Sequence, residues 1–524
     1  MSGKIQHQSK KADATSMIDK SSDIETASID TVDHDEKRLE ELGYKQEFKR
    51  EINLFVQAGF AFSTMAVLPN WLIGFAGAMS AGGPMSLFWG IVVVSPFVMC
   101  IALSMAEVFS AYPVNGGVYS WCYLLSSEKW GPLMSWLCGY IFVGGLVTGA
   151  MTLAYSMAEY TIAISNIVNE HQITNSGAYV GLYCAYLLLG VAYSYFGVKF
   201  SGYLNQFMVF WVLIGSTIII ITMPAMAPTH HSATWVFTEF QNSTGYQNSG
   251  LAFFLGLLQA GWTLIGYENG AQIAEGTKNA ARTGPRGIII AVIGAIFQSL
   301  ALCISTLFSI QDLDELLESS FPLGTLFVRA TTPKLAAFFL VIVCISQFAS
   351  LCNTLFTVSQ LMWSMSRDKC LPNHQVWYNL SNNYQMPVRL LLLVALICIV
   401  LIMPSLASSV YWSAMMSTSV ICLNVAYGLP YFCRLVWKRD IVHRGPFNLG
   451  RYSLIINFFA VAWIAFFGVI LCIPSVHPVD PVTMNWASLM IGAILIFSLV
   501  FWFISGRKNF KGPIKTLGDD INEK

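Results

Sequence analysis

The sequence predicts an all-α integral membrane protein with twelve transmembrane helices. Three observations predict this class: the composition, the apolar runs and the placement of the basic residues. Of the 524 residues, 55% are hydrophobic and 11% are charged, whereas a soluble domain carries about 25% charged residues. A hydrocarbon core about 30 Å thick requires roughly 20 apolar helical residues per crossing. The chain therefore has room for many crossings and for little else.

Twelve apolar runs are separated by short polar breaks or breaks rich in glycine and proline. Runs of this length are typical of helices that cross a bilayer. We predict helices over residues 53–80, 84–109, 133–166, 177–197, 203–224, 250–273, 287–310, 335–365, 388–404, 408–432, 453–473 and 483–505. An interfacial segment around residues 114–130 is expected to join the second helix to the third.

The basic residues test this count and give it a direction, because cytoplasmic loops are enriched in Lys and Arg. With the N-terminus in the cytoplasm, the predicted outer segments hold only Arg329 and Lys334. The predicted inner segments hold Lys45, Lys49, Arg50, Lys129, Lys199, Lys278, Arg282, Arg286, Arg367, Lys369, Arg389, Arg434, Lys438, Arg439, Arg444, Arg451, Arg507, Lys508, Lys511 and Lys515. Both termini are therefore expected in the cytoplasm. The plasma membrane is the expected location, and the vacuole or another endomembrane stays open.

Polar segments outside the helices complete this organisation. The sequon at Asn242 falls in an outer loop and is a candidate glycosylation site. Residues 1–50 are polar and are predicted to form a disordered cytoplasmic tail, and residues 506–524 a second cytoplasmic tail. Ser, Thr and Lys side chains of the first tail are candidate targets of regulatory kinases or ubiquitin ligases; a plain solvated tail is the alternative. Residues 51–505 form the membrane domain.

Two of the predicted spans are interrupted by polar residues. In the first, Ser63, Thr64 and Met65 lie mid-span and Pro69 follows closely; in the sixth, residues 259–270 include three glycines, an acid and two amides. Irregular backbone at membrane depth is tolerated only where it is buried in protein or lines a wet cavity. The first and sixth spans are equivalent in a repeat of five helices plus five, so the breaks predict a substrate site at the midplane. Glycines that merely permit close helix packing are the alternative.

Acidic side chains are rare at membrane depth, where an acid is costly and by default functional. Glu268 lies deepest, and we expect it to carry a proton or to pair with a substrate ammonium group. Glu107 and Glu275 lie near the inner ends of their spans and are candidates for gating or coupling. Glu159 lies near the outer mouth, where a solvated carboxylate is expected.

Several classes of function are disfavoured by the sequence. The formal net charge is zero, which gives no case for nucleic-acid binding. The twelve cysteines are scattered without a CxxC pair, and no Cys/His cluster indicates a metal or another cofactor. No Walker A loop or catalytic constellation is present, so neither an ATP-driven pump nor an enzyme is expected.

Several separated motifs carry a resemblance to a known family. The run from Ala106 to Trp121 resembles the signature that follows the second helix of amino acid–polyamine–organocation permeases. The run from Trp262 to Ile288 and that from Asn353 to Arg389, with Met365-Ser366-Arg367-Asp368-Lys369-Cys370-Leu371-Pro372, are similar to the same family. The run from Asp35 to Lys45 resembles its fungal amino acid/choline branch, which includes GABA, choline, polyamine and thiamine permeases.

This resemblance implies a leucine-transporter-like fold of five plus five inverted helices that works by alternating access. The repeats would cover residues 53–224 and 250–432, and residues 453–505 would hold two extra helices. The resemblance implies a permease for an amino acid, GABA, choline or a polyamine, with coupling to protons or exchange of solutes. A nutrient sensor on the same scaffold is the alternative. The implied substrate-binding residues are Ser63, Thr64, Met65, Trp262, Ile265, Gly266, Tyr267, Glu268 and Asn353.

The sequence departs from the family pattern at two places. Many members have a Gly-Ser/Thr-Gly type break in the first helix, whereas the corresponding run here, Phe62-Ser63-Thr64-Met65, has no glycine. Some proton-coupled members carry a lysine within the fifth helix, and the run from Tyr203 to Met223 has none. The acids are therefore the expected proton carriers, with the lipid bilayer and the small solute as the remaining partners.

Overall fold

The computed structural model describes residue 50 and residues 52–114, 116–169, 173–319, 321–381, 386–406, 410–437, 445–480 and 484–513. The side chains of residues 197–202, 275 and 410 lie outside this description. The predicted tail over residues 1–49 and the end of the second tail, residues 514–524, also lie outside the described residues.

The described chain is built from helices, which confirms the predicted all-α membrane class. The helices of the membrane domain are Leu54–Met65, Val67–Ala111, Gly131–Val168, Ser176–Ser194, Gly197–Met226, Ser249–Thr263, Ala280–Phe308, Pro333–Arg367, Val388–Ile402, Val410–Val436, Ser453–Ile470 and Ala487–Phe501, with a 3-10 segment over Tyr267–Gly276. The predicted interfacial segment contains the helix Gly117–Leu125. Further short helices are Ala233–Thr238, Leu313–Glu318 and Pro322–Ala330.

The first apolar segment, Leu54–Ala111, crosses the membrane twice. Its 58 residues would extend about 87 Å as one straight helix, nearly three times the thickness of the hydrocarbon core. The backbone is non-helical at Gly83, which has φ 64° and ψ −154°. The two ends of this segment contact the same part of the chain, around residues 276–281. The Ile52 amide donates to the Gly276 carbonyl at 3.0 Å, and Ser110 Oγ donates to the Ala281 carbonyl at 2.8 Å.

Eleven apolar helical segments of the described chain are long enough to cross a membrane. Because the first of them crosses twice, they amount to the twelve spans that the sequence predicts. Large apolar side chains stay exposed on the outward faces, such as Phe297 at 69%, Val469 at 66% and Phe503 at 68%. Apolar surface of this extent on a folded chain is typical of contact with lipid.

Prolines within the spans leave carbonyls without a backbone donor, and neighbouring helices supply replacements. Pro285 cannot donate to the Ala281 carbonyl, which accepts the hydrogen bond from Ser110 Oγ instead. This replacement lets the seventh helix begin at Ala280, although the sequence predicts a start at residue 287. In the same way, Pro224 frees the Ile220 carbonyl, which accepts from Ser305 Oγ at 2.8 Å.

Candidate functional site

The first helix breaks at a single residue, Ala66, directly after Met65. Ala66 has φ 40° and ψ 53°, a left-handed conformation that costs a residue with a Cβ atom roughly 1–2 kcal/mol. Side chains satisfy the carbonyls at the break: Ser350 Oγ donates to Thr64 at 2.7 Å, and Asn70 Nδ2 donates to Met65 at 2.8 Å. The break is therefore a supported feature and needs no glycine.

The sixth helix breaks at the segment that follows Thr263. Gly266 has φ 106°, a conformation that glycine adopts without steric cost, and a 3-10 segment begins at Tyr267. The Asn269 side chain fixes this turn, since its Nδ2 donates to the Gly266 carbonyl at 3.0 Å and to Glu268 Oε1 at 3.1 Å. The discontinuous first and sixth helices expected from the sequence are thus confirmed.

The two breaks lie directly against each other. A Cβ atom added to Gly266 would lie 3.4 Å from the Met65 Cα and 3.4 Å from the Thr64 carbonyl carbon. Gln57 ties the two helices again below the breaks, because its Nε2 donates to the Gly270 carbonyl at 2.6 Å. The two helix ends therefore lie side by side in the protein interior.

Four polar side chains join the first break to the fifth and eighth helices. Asn353 Nδ2 lies 3.1 Å from Ser63 Oγ and 3.1 Å from Thr64 Oγ1. Asn205 of the fifth helix donates to Asn353 Oδ1 at 3.0 Å and accepts from Ser63 Oγ. The polar cluster of Ser63, Thr64, Asn205 and Asn353 is buried throughout. Its hydrogen bonds fix the break relative to both helices.

Asn205 is a member of this polar cluster that the sequence analysis above does not name. The signal for it is the pair of adjacent amides, Asn205 and Gln206, within an apolar run. Asn205 is 0% exposed, and a buried amide needs hydrogen-bond partners. Tyr427 of the tenth helix and Thr357 of the eighth, which donates to Asn269 Oδ1, were missed as well.

Glu268 is fully buried beside the sixth break, and only part of its carboxylate is satisfied. Oε1 accepts from Asn269, whereas Oε2 has no hydrogen bond of acceptable geometry within the described structure. The same holds for Trp262 Nε1 and the Tyr427 hydroxyl, and the Tyr427 ring lies 5.6 Å from that of Tyr267. The Tyr427 hydroxyl nevertheless faces the Glu268 carboxylate, and the two groups interact. An unsatisfied buried polar atom costs about 1–3 kcal/mol, so the Trp262 indole and the incompletely bonded Glu268–Tyr427 pair mark a place where a ligand or water would be stabilised.

The remaining predicted site residues lie at different levels of the molecule. Ile265 is buried next to Gly266, whereas Glu107 lies away from the breaks and pairs with Arg434. The Glu275 side chain lies outside the described structure. Asn242 Nδ2 donates to the Tyr246 carbonyl at 2.7 Å in the loop before the sixth helix; glycosylation there stays a prediction.

Helices from both halves of the chain surround the breaks. The third helix reaches the first through the Tyr160 hydroxyl, which donates to the Pro69 carbonyl at 2.9 Å. The eighth helix contributes Ser350, Asn353 and Thr357, and the tenth contributes Tyr427. The backbone groups at the breaks and the carboxylate of Glu268 are thus enclosed in protein, where electrostatic interactions are strong.

Comparisons with known proteins cover nearly the whole membrane domain. Residues 52–496 match the model of a family described as amino acid permease. The chain is 32% identical over 497 residues to the amino-acid permease BAT1 homolog of Oryza sativa subsp. japonica, which covers 92% of this chain and 95% of that protein. It is 30% identical over 514 residues to amino-acid permease 2 of Neurospora crassa, with coverage of 93% and 91%.

Proposed function

Because the chain belongs to the amino acid permease family, a family of membrane transporters and not of enzymes, we propose that it carries an amino acid by alternating access through the two breaks. The observation that carries this proposal is the contact of Gly266 with the Thr64–Met65 backbone, with the unsatisfied Glu268 Oε2 nearby on the same segment. Substrate sites between discontinuous helices are a general solution in transporters.

The ends of the broken helices favour a substrate with two opposite charges. Val67 and Leu68 are the first two residues of a helix. Their N–H groups therefore have no carbonyl acceptor within that helix. Such an end attracts a carboxylate, whereas the carbonyl end of Ser249–Thr263 attracts a cation. In the proposed binding mode, the substrate carboxylate accepts hydrogen bonds from the N–H groups of Val67 and Leu68. The substrate amine contacts Glu268 and the carbonyl end of the helix Ser249–Thr263.

This mode ranks the candidate solutes. An α-amino acid or GABA satisfies both ends, whereas choline or a polyamine has no carboxylate for the Val67 end. Ser63, Thr64, Met65 and Asn353 would shape the site from the first and eighth helices. Trp262, Ile265 and Tyr267 would enclose the substrate from the sixth, where an indole face also suits a cation.

Glu268 is the proposed carrier of a coupling proton. Its carboxylate faces the Tyr427 hydroxyl, its second oxygen has no hydrogen bond of standard geometry in the described structure, and acidic residues at membrane depth are typical of proton relays in transporters. Coupled import or exchange would follow from the binding of proton and amine at the same carboxylate. Glu107 and Glu275 are proposed to act in gating, at the basic end of the molecule.

We further propose that both termini lie in the cytoplasm and that the plasma membrane is the location, from the distribution of Lys and Arg. The two repeats over residues 53–224 and 250–432 would rock against each other around the breaks. The tail over residues 1–50 would be open to kinases and ubiquitin ligases.

Radiolabelled uptake in a permease-deficient host tests the proposal. We expect accumulation of an amino acid that unlabelled amino acids and GABA suppress, and that choline and polyamines suppress more weakly. Glu268→Gln should reduce uptake at least about tenfold at equal surface abundance, whereas Glu318→Gln, at an exposed outer carboxylate, should leave it unchanged. Unchanged uptake and pH dependence in Glu268→Gln would reject the role of this residue. Binding without accumulation would instead favour a sensor.

A further inference from the structure

A second polar site lies far from the breaks, at the end of the molecule that carries most of the basic residues. A cavity of about 480 Å³ separates the turn after the eighth helix from the end of the twelfth. Its lining includes Lys369, Asn373, His374, Gln375, Lys508 and Asn509. The proposed substrate path accounts for none of these residues.

The end of the twelfth helix is held in place by a buried aromatic ring. Phe510 is 2% exposed, and its ring lies 5.7 Å from that of Trp136 and 6.3 Å from that of Tyr119. This anchor fixes the turn that carries Lys508 and Asn509. Lys508 therefore stands at the cavity on a fixed backbone.

The opposite wall of the cavity is the turn after the eighth helix, in which Lys369 and Asp368 point in different directions. Lys369 has φ 63°, and the next amide, that of Cys370, donates to the Met365 carbonyl at 2.8 Å. Asp368 points inward, where its carboxylate accepts from the Tyr119 hydroxyl at 3.2 Å and is 2% exposed. The turn thus presents the ammonium group of Lys369 and withdraws the carboxylate.

The cavity carries uncompensated positive charge. No acidic residue is among its lining residues, and neither Lys369 nor Lys508 has a carboxylate within 4.0 Å in the described parts of the chain. His374 adds a third basic side chain. Amides at Asn373, Gln375 and Asn509 supply hydrogen-bond donors of the kind that phosphate oxygens accept.

The cavity also adjoins exposed apolar side chains on both walls. Phe503 and Ile504, one turn before Lys508, are 68% and 67% exposed, as expected for contact with lipid tails. On the other wall, Val376 and Tyr378 are 48% and 45% exposed beside His374. Apolar side chains next to lysines are typical of a membrane interface.

We propose that this cavity binds the phosphate of an anionic phospholipid head group, with Lys369 and Lys508 as its main ligands. Basic pockets at the cytoplasmic face of membrane proteins recognise such head groups, and a bound lipid would link the turn after the eighth helix to the twelfth helix. The site is independent of the solute that the protein carries.

The test measures lipid binding and not transport, so it is separate from the test of the proposed function. Purified full-length protein in neutral detergent is titrated with dihexanoyl phosphatidylserine, dihexanoyl phosphatidylcholine or inorganic phosphate, and thermal unfolding is followed. Phosphatidylserine should raise the melting temperature of the unmodified protein and phosphatidylcholine should not. Lys369→Gln/Lys508→Gln should raise the half-saturating concentration of phosphatidylserine at least about tenfold, since each lysine near a membrane contributes on the order of 1 kcal/mol.

Lys511→Gln is the matched control, because Lys511 is exposed on the same turn and does not line the cavity. An equal response of the double variant and the unmodified protein would overturn the proposal, as would the absence of any response to phosphatidylserine. Equal protection by inorganic phosphate would assign the site to a soluble phosphate and reject the lipid. Should the double variant not fold, Lys508→Gln alone should weaken binding about fivefold.

Discussion

Arg434 of the tenth helix and Glu107 of the second form a buried ion pair, with Nη1 of the guanidinium 2.6 Å from Oε2 of the carboxylate. The Ser453 hydroxyl donates to the same oxygen, and the Leu449 amide donates to Oε1 at 3.1 Å. The carboxylate therefore holds together the second helix, the tenth helix and the segment that leads into the eleventh. This position suits the gating role that we propose for Glu107.

Glu107→Gln should destabilise the protein by about 3–5 kcal/mol, because it leaves the Arg434 charge buried without a counter-charge. The double variant Glu107→Gln/Arg434→Gln should recover part of that loss. Thermal unfolding of purified protein measures both effects. Glu315→Gln is the control, since the Glu315–Arg329 pair is exposed and such pairs contribute about 0–1 kcal/mol. Equal losses at Glu107 and Glu315 would contradict the importance of the buried pair.

Gly266→Ala should reduce uptake strongly while the protein still reaches the membrane. The substitution places a Cβ atom on a residue with φ 106°, a conformation that residues with a side chain rarely adopt, so the turn must change and with it the apposition of the two breaks; at 3.4 Å from the Met65 backbone the added atom itself makes an ordinary contact. The matched control is Gly77→Ala, where a Cβ atom meets nothing within 4 Å. Uptake rates at equal surface abundance compare the two. Normal transport by Gly266→Ala would refute the close apposition as a requirement.

Asn205→Ala and Asn353→Ala should be coupled in their effects on stability. The two side chains share hydrogen bonds at 2.7 and 3.0 Å, and hydrogen bonds in membrane helices contribute about 0.6 kcal/mol on average and up to roughly 1.7. A double-mutant cycle on thermal unfolding should therefore give a clear interaction energy. Asn424→Ala serves for comparison, because Asn424 Nδ2 donates to the Val420 carbonyl of its own helix. Strict additivity of the first pair would argue against the polar cluster.

Ser305→Ala should destabilise the protein by on the order of 1 kcal/mol, because it removes the donor to the Ile220 carbonyl that Pro224 leaves free. Adding Pro224→Ala should reverse much of the loss, since an alanine at 224 again donates its N–H to Ile220. Thermal unfolding of the single and double variants measures this suppression. Ser299→Ala should be nearly neutral, because Ser299 Oγ donates to the Ala295 carbonyl of its own helix. If Pro224→Ala did not reduce the stability loss of Ser305→Ala, the idea that Ser305 replaces the missing N–H donor of Pro224 would be wrong.

The sequence predicted the fold well because lipid imposes strong rules on apolar length and on basic residues. It located the first break within a few residues, from Ser63 to Met65, although the left-handed residue is Ala66. An alanine carries no sign of such a conformation, which depends here on support from Ser350 and Asn70.

Partners from distant parts of the chain were beyond the reach of local patterns. Arg434 is one of the basic residues predicted for the inner segments, yet it lies buried against Glu107. Asn205 and Asn353 are separated by 148 positions and meet only after the helices have packed. The early start of the seventh helix at Ala280 likewise depends on Ser110 of another helix.

The polar cluster at the first break has a consequence for the assembly of the protein during synthesis. Ser63 hydrogen-bonds Asn353, which lies 290 residues later in the chain. At about 5–20 residues per second, the ribosome completes the eighth helix roughly 15–60 s after the first one. During that time the hydroxyls of Ser63 and Thr64 lack the Asn353 amide, but both can donate to the Phe60 carbonyl of their own helix. Asn205 follows 142 residues after Ser63, so the polar cluster is completed in two steps, first with the fifth helix and then with the eighth.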